Sequence, residues 1–391
     1  MKKAHKHILT ICFLLFIFVG LILNISNFKN ACVSVIGDIK SLDIKKAVTN
    51  FESSINENFA NKMDIVDVNG AFKKVCGQKI ANGTILGDDN QLYDEDAINE
   101  KLDLDKEKES LEYTSRLMEY AENKGIFSLY VQHPNKYNVA SKELPYGLAT
   151  TRTIIDDMYV QELKEQGKNV IDLRESKYNV NTFYKTDHHW TVESAFNANL
   201  IIKEYISQSQ NAYEIETDNK IEDYKKVTKQ NSLLGSYGIR VGQYFAGKDD
   251  YSVMIPRFKT EYVYEAYDTN HKKVTEKEGS YEEVFIENSY LNNPNYLNKY
   301  NTYILDGTIE ARAINKTSNN DTKVLLIGDS FSRPLFTFLS DGVYEIRFLD
   351  AQEGRYNDSF KDYIDEYNPD ILLIMYNYGF AENSLADKEY L

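Results

Sequence analysis

Residues 324–375 read VLLIGDSFSRPLFTFLSDGVYEIRFLDAQEGRYNDSFKDYIDEYNPDILLIM. Val324–Ile327, Tyr344–Leu349 and Ile371–Met375 are short apolar runs, the length and composition of strands buried on both faces. The stretches between them, one ending near Leu339 and one spanning Asp358 to Tyr367, read as helices. Strand, helix, strand, helix, strand with short connections predicts a parallel, doubly wound half-sheet. Ligand chemistry in such sheets gathers at the carboxyl ends of the strands. Ser330, in Gly328-Asp329-Ser330, and Asn377 both fall there.

Upstream, a charged stretch from Asp105 to Lys124 repeats Leu111, Leu117, Met118 and Ala121 at helical steps, with Gly125 as a stop. Ile126–Val131 follows as an apolar strand that ends before Pro134, and a second helix, Thr151 to Gln166, leads to the strand Asn169–Leu173. Asn181 to Thr191 fits neither period and reads as a loop opening a helix. Thr191 is its N-cap, with Ala195, Ala198, Ile202 and Tyr205 on one face. Nearer the N-terminus, Asp43–Gln78 reads as helical and Asn82–Gly87 as a short strand. Residues 207–320 are polar and rich in Asn, Lys, Glu and Tyr, and are expected to form an insertion covering the sheet as a β-rich lid. The domain reading is therefore 1–30 basic tip and anchor, 31–104 an N-terminal extracytoplasmic segment, 105–206 the first part of an α/β core, 207–320 the insertion, and 321–391 the second part of the core.

The chain has 391 residues, 42% hydrophobic, which suffices for a sizeable core and argues against disorder. A net charge of -15 argues against phosphate-backbone binding, so nucleic acid is not an expected partner. Thirty tyrosines are present; their rings and hydroxyls suit sugars, and equally suit strands and cores. Lys2, Lys3 and Lys6 precede an apolar run from Ile8 to Leu23, ~24 Å long as a helix against a hydrocarbon core of ~30 Å. No small-residue cleavage site follows it, so it reads as an uncleaved anchor rather than a signal peptide. With the basic end inside, everything after about residue 30 is extracytoplasmic. Cys32 and Cys76 are the only pair outside the anchor, and are expected to be free thiols.

Ser330 follows a buried strand at a glycine-lined turn and opens a helix, where a hydroxyl is exposed beside backbone N–H groups able to stabilise an oxyanion. Capping alone would also place a serine there, and Ser332 competes for either role. Of six histidines, His5 and His7 flank the anchor, His271 lies in the insertion and His133 precedes Pro134. His188 and His189 follow Asp187. In an extended loop Asp187 and His189 share a face, so the carboxylate can orient the imidazole while its far nitrogen takes a serine proton. His188 and Trp190 would then face away and pack or bond locally. A metal site at Asp187-His188-His189 needs further strand-end ligands that this sequence does not supply, and the triad chemistry requires no cofactor.

Tyr184-Lys-Thr-Asp-His-His-Trp-Thr191 resembles the signature of the DHHW-motif proteins, which are similar to alginate O-acetylation proteins of the SGNH superfamily. Gly83-Thr-Ile-Leu-Gly87, Pro134-Asn135-Lys136 and Gly328-Asp-Ser-Phe331 fall in that family's order. The resemblance implies a permuted SGNH-like sheet, with Ser330 as nucleophile, His189 as general base and Asp187 as its orienting acid. It also implies an oxyanion hole in which Asn377 supplies the asparagine and Gly354 the glycine. Arg355 and Tyr356 are candidates for substrate contact, with a surface helix start as the alternative.

The expected activity is transfer of acetyl groups to a cell-surface or exported polysaccharide, with a membrane-bound O-acyltransferase handing over the acetyl group and the Tyr-rich insertion as a glycan lid. An acetyl esterase would use the same triad. A non-catalytic glycan-binding scaffold would instead leave Ser330 and His189 too far apart to bond.

Overall fold

The computed structural model describes residues 2–36, 44–99, 101, 103–137, 144–145, 148–176, 179–209, 213–303, 308–352, 356 and 358–376. In chain order its strands are β1 (Ile80–Ala81), β2 (Thr84–Leu86), β3 (Leu92–Asp94), β4 (Phe127–Gln132), β5 (Val170–Asp172), β6 (Tyr224–Leu233), β7 (Asp249–Pro256), β8 (Tyr262–Tyr267), β9 (Lys273–Gly279), β10 (Glu310–Asn315), β11 (Lys323–Gly328), β12 (Glu345–Asp350) and β13 (Ile371–Met375). Eight of them make one sheet in the order β5-β4-β13-β11-β12-β10-β8-β9. The first five of that order run parallel, and β10, β8 and β9 extend the edge antiparallel. The fold is SGNH-like α/β, with the Asp187–His189 stretch preceding the serine strand in the chain.

Strand periodicity divides the core in two. Along β11, Val324 and Leu326 enter one apolar cluster while Leu325 and Ile327 enter the other. Along β13, Ile371, Leu373 and Met375 go one way, and Leu372 and Ile374 the other. Alternate residues point to opposite faces, so strands covered on both sides must be apolar throughout. The helices Val192–Ser207 and Ser332–Leu339 cover the first face; Leu104–Asn123, Arg152–Glu165 and Phe360–Tyr367 cover the second.

The segment read as a covering insertion is in large part sheet. β8 and β10 alternate buried and half-buried residues along their length, the pattern of strands covered on one face only. Its tyrosines are mostly core: Tyr251, Tyr262, Tyr264, Tyr281, Tyr300 and Tyr303 are essentially inaccessible. These six belong to the apolar cluster on one face of the sheet and offer no rings to a glycan, whereas Tyr244 is exposed. The helix expected over Asp43–Gln78 is two helices, Ile44–Asn58 and Lys62–Val75. Asn61, at a left-handed φ of 58°, turns the chain between them. Ahead of both runs the Lys2–Ser34 helix, whose apolar side chains are largely exposed and whose Thr10–Val33 stretch is long and apolar enough to cross a membrane. Cys32 and Cys76 are unpaired and exposed.

Candidate active site

β11 ends at Gly328, a position where any Cβ would overlap Ser332 Oγ and crowd the Met375 carbonyl. The next turn is held by Asp329: its Oδ1 accepts the Phe331 N–H at 2.9 Å and its carbonyl accepts the Ser332 N–H at 3.0 Å. Ser330 is thereby left half-buried at the mouth of the Ser332–Leu339 helix, whereas Ser332 is wholly buried. A buried hydroxyl cannot meet a substrate, which removes Ser332 as a competing nucleophile.

Asp187 and His189 come from a short hairpin. Phe183 bridges Trp190, the Tyr184 N–H donates to the His189 carbonyl at 3.1 Å, and the Thr191 N–H to the Thr182 carbonyl at 2.8 Å. Thr191 caps the helix after it, accepting from the Ser194 N–H at 3.3 Å. Asp249 clamps the turn, its carboxylate accepting the Lys185 and Thr186 N–H groups at 2.8 Å each and the Thr186 hydroxyl at 2.6 Å. The buried ammonium of Lys136 donates to the Lys185 carbonyl at 3.1 Å and the Leu92 carbonyl at 3.0 Å.

The three side chains form one relay. His189 Nδ1–H donates to Asp187 Oδ1 at 2.5 Å, and the Ser330 hydroxyl donates to His189 Nε2 at 2.8 Å. Asp187 also accepts the His189 N–H at 3.0 Å and the Ser236 N–H at 2.7 Å. Burial pushes its carboxyl up, but His189, His188 and these hydrogen bonds outweigh burial and hold it well below the usual carboxylate range. It is therefore ionised and orients the imidazole in the tautomer whose Nε2 accepts.

Aromatic rings fix the imidazole plane. Tyr300 stacks on His189 with centroids 3.7 Å apart and planes 12° from parallel, and its hydroxyl donates to the Ser330 carbonyl at 3.3 Å. His188 does not face away from His189, as alternation along an extended loop would require: its ring lies 3.8 Å from that of His189, because residues 185–189 form a turn rather than an extended strand. His188 Nδ1 meets the Ser236 hydroxyl at 2.9 Å; burial, then the neighbouring His189, push its imidazole down, so it stays neutral. Trp190 is fully buried beneath Phe331, and His133 stacks on Phe331 at 4.3 Å. Burial lowers the His133 imidazole, but Asp329, 3.8 Å away, together with the Pro134 carbonyl raises it overall.

Asp187, His188 and His189 offer ligand atoms within 4.8 Å of one another. Those atoms are already engaged: Asp187 with His189 and Ser236, His188 with Ser236, and His189 with Asp187 and Ser330. A cation held by Asp187 and His189 would have to displace these hydrogen bonds.

Of the predicted site residues, Asp187, His189 and Ser330 come together. Asn377, Gly354 and Arg355 lie outside the described residues. Tyr356 is buried, stacked on Phe360 and edge-on to Tyr363 within the second core cluster. It packs the sheet cover rather than facing a substrate, because Phe360 and Tyr363 occupy the helix face it closes. Tyr300, Ser236 and Asp249 were not identifiable from the sequence, since no motif surrounds them. Ser330's own N–H has no backbone acceptor among the described residues.

Residues 84–244 match the family model described as SGNH hydrolase-like domain, acetyltransferase AlgX. Over those residues the chain is similar to an SGNH hydrolase-like domain. The match takes in Asp187 and His189 and ends before Ser330, which the fold brings to them. No curated protein is similar to the chain in sequence. The structure of Bacillus cereus PatB1 is similar, at 21% identity and TM-score 0.61 over 77% of this chain and 97% of that one. PatB1 with a sulfonyl adduct gives 19%, 0.60, 76% and 99%. A DHHW family protein from Eubacterium siraeum gives 18%, 0.52, 71% and 89%. At these identities the similarity shows a shared fold across most of the chain.

Proposed function

We propose that this protein is an extracytoplasmic O-acetyltransferase that modifies a cell-surface or exported polysaccharide through an acetyl-Ser330 intermediate. The observation that carries the proposal is the unbroken relay from Asp187 through His189 to Ser330. The acetyltransferase family model over residues 84–244 supports the choice of acyl group.

In the first half-reaction Ser330 Oγ attacks the donor's acetyl carbonyl as His189 Nε2 takes the hydroxyl proton. The oxyanion is met by the Ser330 N–H at the positive end of the Ser332–Leu339 helix. The C–O bond to the donor breaks, and His189 returns the proton to the leaving oxygen. In the second half a sugar hydroxyl gives its proton to His189 and attacks the acetyl-serine carbonyl. Collapse releases the acetyl sugar, and the proton returns to Ser330. Ionised Asp187 supports the imidazolium in both halves without taking the proton. An exported domain meets no acetyl-CoA, so a membrane-bound O-acyltransferase is the proposed source of acetyl groups, delivered beside the Lys2–Ser34 anchor.

The scaffold alternative required Ser330 and His189 to be out of reach, and 2.8 Å speaks against it. The test is the full chain with a chromogenic acetyl ester and an oligosaccharide acceptor, with products read by mass spectrometry. Acetylated sugar from wild type and none from Ser330→Ala is the expected result. Ester cleavage that depends on Ser330 while every acceptor stays unmodified would replace this reading with an esterase.

A further inference from the structure

The Lys62–Val75 helix carries two opposed faces. One docks on the domain: Asp67 accepts the Gln243 backbone N–H at 2.7 Å and its side-chain amide at 2.6 Å, and Gly70 sits so close to the Val241 carbonyl that no Cβ would fit. Roughly half a turn away, at 100° per residue, Ile65, Val68, Phe72 and Val75 form a stripe at steps of three and four. These four are 47%, 68%, 67% and 88% exposed. A run of large apolar side chains on the outside of a packed helix marks an interaction surface.

The anchor indicates what covers it. Asn24 and Asn27 come directly after the apolar run Ile8–Leu23. Asn24 Oδ1 accepts the Ala60 N–H at 2.7 Å, and the Asn27 side-chain amide donates to the Asn58 carbonyl. The Ile44–Asn58 helix therefore runs back along the outer part of the Lys2–Ser34 helix and returns the chain to the level where the apolar run ends. Within the Thr10–Val33 stretch the polar residues Asn24, Ser26, Asn27, Lys29 and Asn30 all come after Leu23, so the hydrocarbon part ends near Leu23. The turn bonded to Asn24 and Asn27 therefore belongs at the headgroup level, since hydrocarbon offers such groups no partners. The Lys62–Val75 helix starts from that turn. Lys62, Asn69 and Lys73 flank its stripe on one side and Asp64 on the other, the arrangement of a helix lying in a membrane interface.

We propose that the Lys62–Val75 helix lies on the outer leaflet, with Ile65, Val68, Phe72 and Val75 immersed in the bilayer interface, so that the SGNH-like domain is held against the membrane surface rather than swinging on its anchor. This rests on the reading of the Lys2–Ser34 helix as an uncleaved anchor. It gives the proposed reaction a geometry, since the domain stays within reach of a donor carried in the same membrane.

The test uses the full chain reconstituted in phosphatidylcholine–phosphatidylglycerol vesicles with brominated acyl chains, which quench tryptophan on contact. Native Trp190 is fully buried and supplies a constant background. Phe72→Trp tests the stripe, Phe13→Trp reports insertion of the anchor, and Val274→Trp, on the charged strand β9, reports solvent. Phe72→Trp emission should fall about two-fold or more, as for a residue in the interface, with Phe13→Trp also quenched and Val274→Trp unchanged. Quenching of Phe13→Trp alone would overturn the docking while leaving the anchor in place, and would give the stripe to another protein. If Phe13→Trp is not quenched, the anchor and the docking fall together, whereas the Ser330 chemistry, read by ester turnover of the same samples, is judged separately.

Discussion

Replacing Asp187 by asparagine keeps the shape of the side chain and removes one charge, and the surrounding bonds decide the outcome. Oδ1 receives two donors, the His189 N–H and Nδ1–H, and Oδ2 receives the Ser236 N–H. An amide has one oxygen to offer. Turned towards His189, its NH₂ confronts the Ser236 N–H; turned towards Ser236, its NH₂ confronts His189. The second orientation forces the tautomer that protonates Nε2, which can no longer accept from Ser330. Loss of the charge-assisted bond alone is worth about 1.5–3 kcal/mol, and each buried donor left unmatched a further ~1–3 kcal/mol. With the tautomer error included, kcat/KM on an acetyl ester should fall by about 10²–10⁴. Stability in denaturant should fall by about 2.5–6 kcal/mol, the two losses together. A pH series adds a signature. The folded Asp187 titrates below its unfolded value near 3.9, so its ionisation stabilises the protein above that value and is lost as pH falls through the folded one. Wild type should show this acid loss and Asp187→Asn should lack it. A variant within about three-fold of wild type, less than the weakest of these terms, would refute the orienting role.

Three further outcomes rest on the same geometry. Tyr300→Phe keeps the ring on His189 and gives up the 3.3 Å bond to the Ser330 carbonyl, so turnover should stay within about five-fold, the value of one ordinary hydrogen bond. Tyr300→Ala opens a void beside the imidazole and should cost about 3–5 kcal/mol in denaturant, with a larger loss of kcat than of substrate affinity. A Cβ on Gly235 would overlap the Asp187 side chain, so Gly235→Ala should displace the carboxylate and lower kcat by about 10-fold or more, read on the same ester. Lys136 is the pH-sensitive clamp: burial lowers its ammonium to about 7, against the pull of Asp187, Asp249 and Asp89. The unfolded chain keeps that proton up to its ordinary value, so this group makes stability rise between about pH 7 and 10 by at most ~1.4 kcal/mol per unit. Denaturant midpoints of wild type should climb relative to Lys136→Met over that window, and parallel curves would contradict the assignment.

The parallel half of the sheet was legible because its strands are buried on both faces. Val324–Ile327 and Ile371–Met375 have no polar residue to disguise them, and each is followed by a recognisable turn and helix or a strand-end asparagine. The meeting of Asp187, His189 and Ser330 was legible because Asp187 and His189 are two residues apart and Ser330 stands at a strand's carboxyl end, although the Asp187–His189 segment is a turn rather than the extended loop expected. β8 and β10 were hidden because one face of each is half-exposed and carries Glu265, Arg312 and other charged side chains that read as loop. Tyr300 was hidden for a different reason. It reaches His189 across 111 residues of chain, and only tertiary packing shows which of thirty tyrosines lies on the imidazole. The break at Asn61 was missed because a polar helix pair joined by three residues has the same composition as one longer helix.

The claim on which the rest depends is that Ser330 carries the acetyl group. Full-length protein mixed with an acetyl ester and acid-quenched before turnover is complete should be digested and mapped by mass spectrometry. One acetyl group on the peptide containing Ser330, absent in Ser330→Ala, slow to form in His189→Ala and discharged when an oligosaccharide is added, is the predicted result. Ester turnover at the wild-type rate by Ser330→Ala, or an acetyl group found only on another residue, would contradict it.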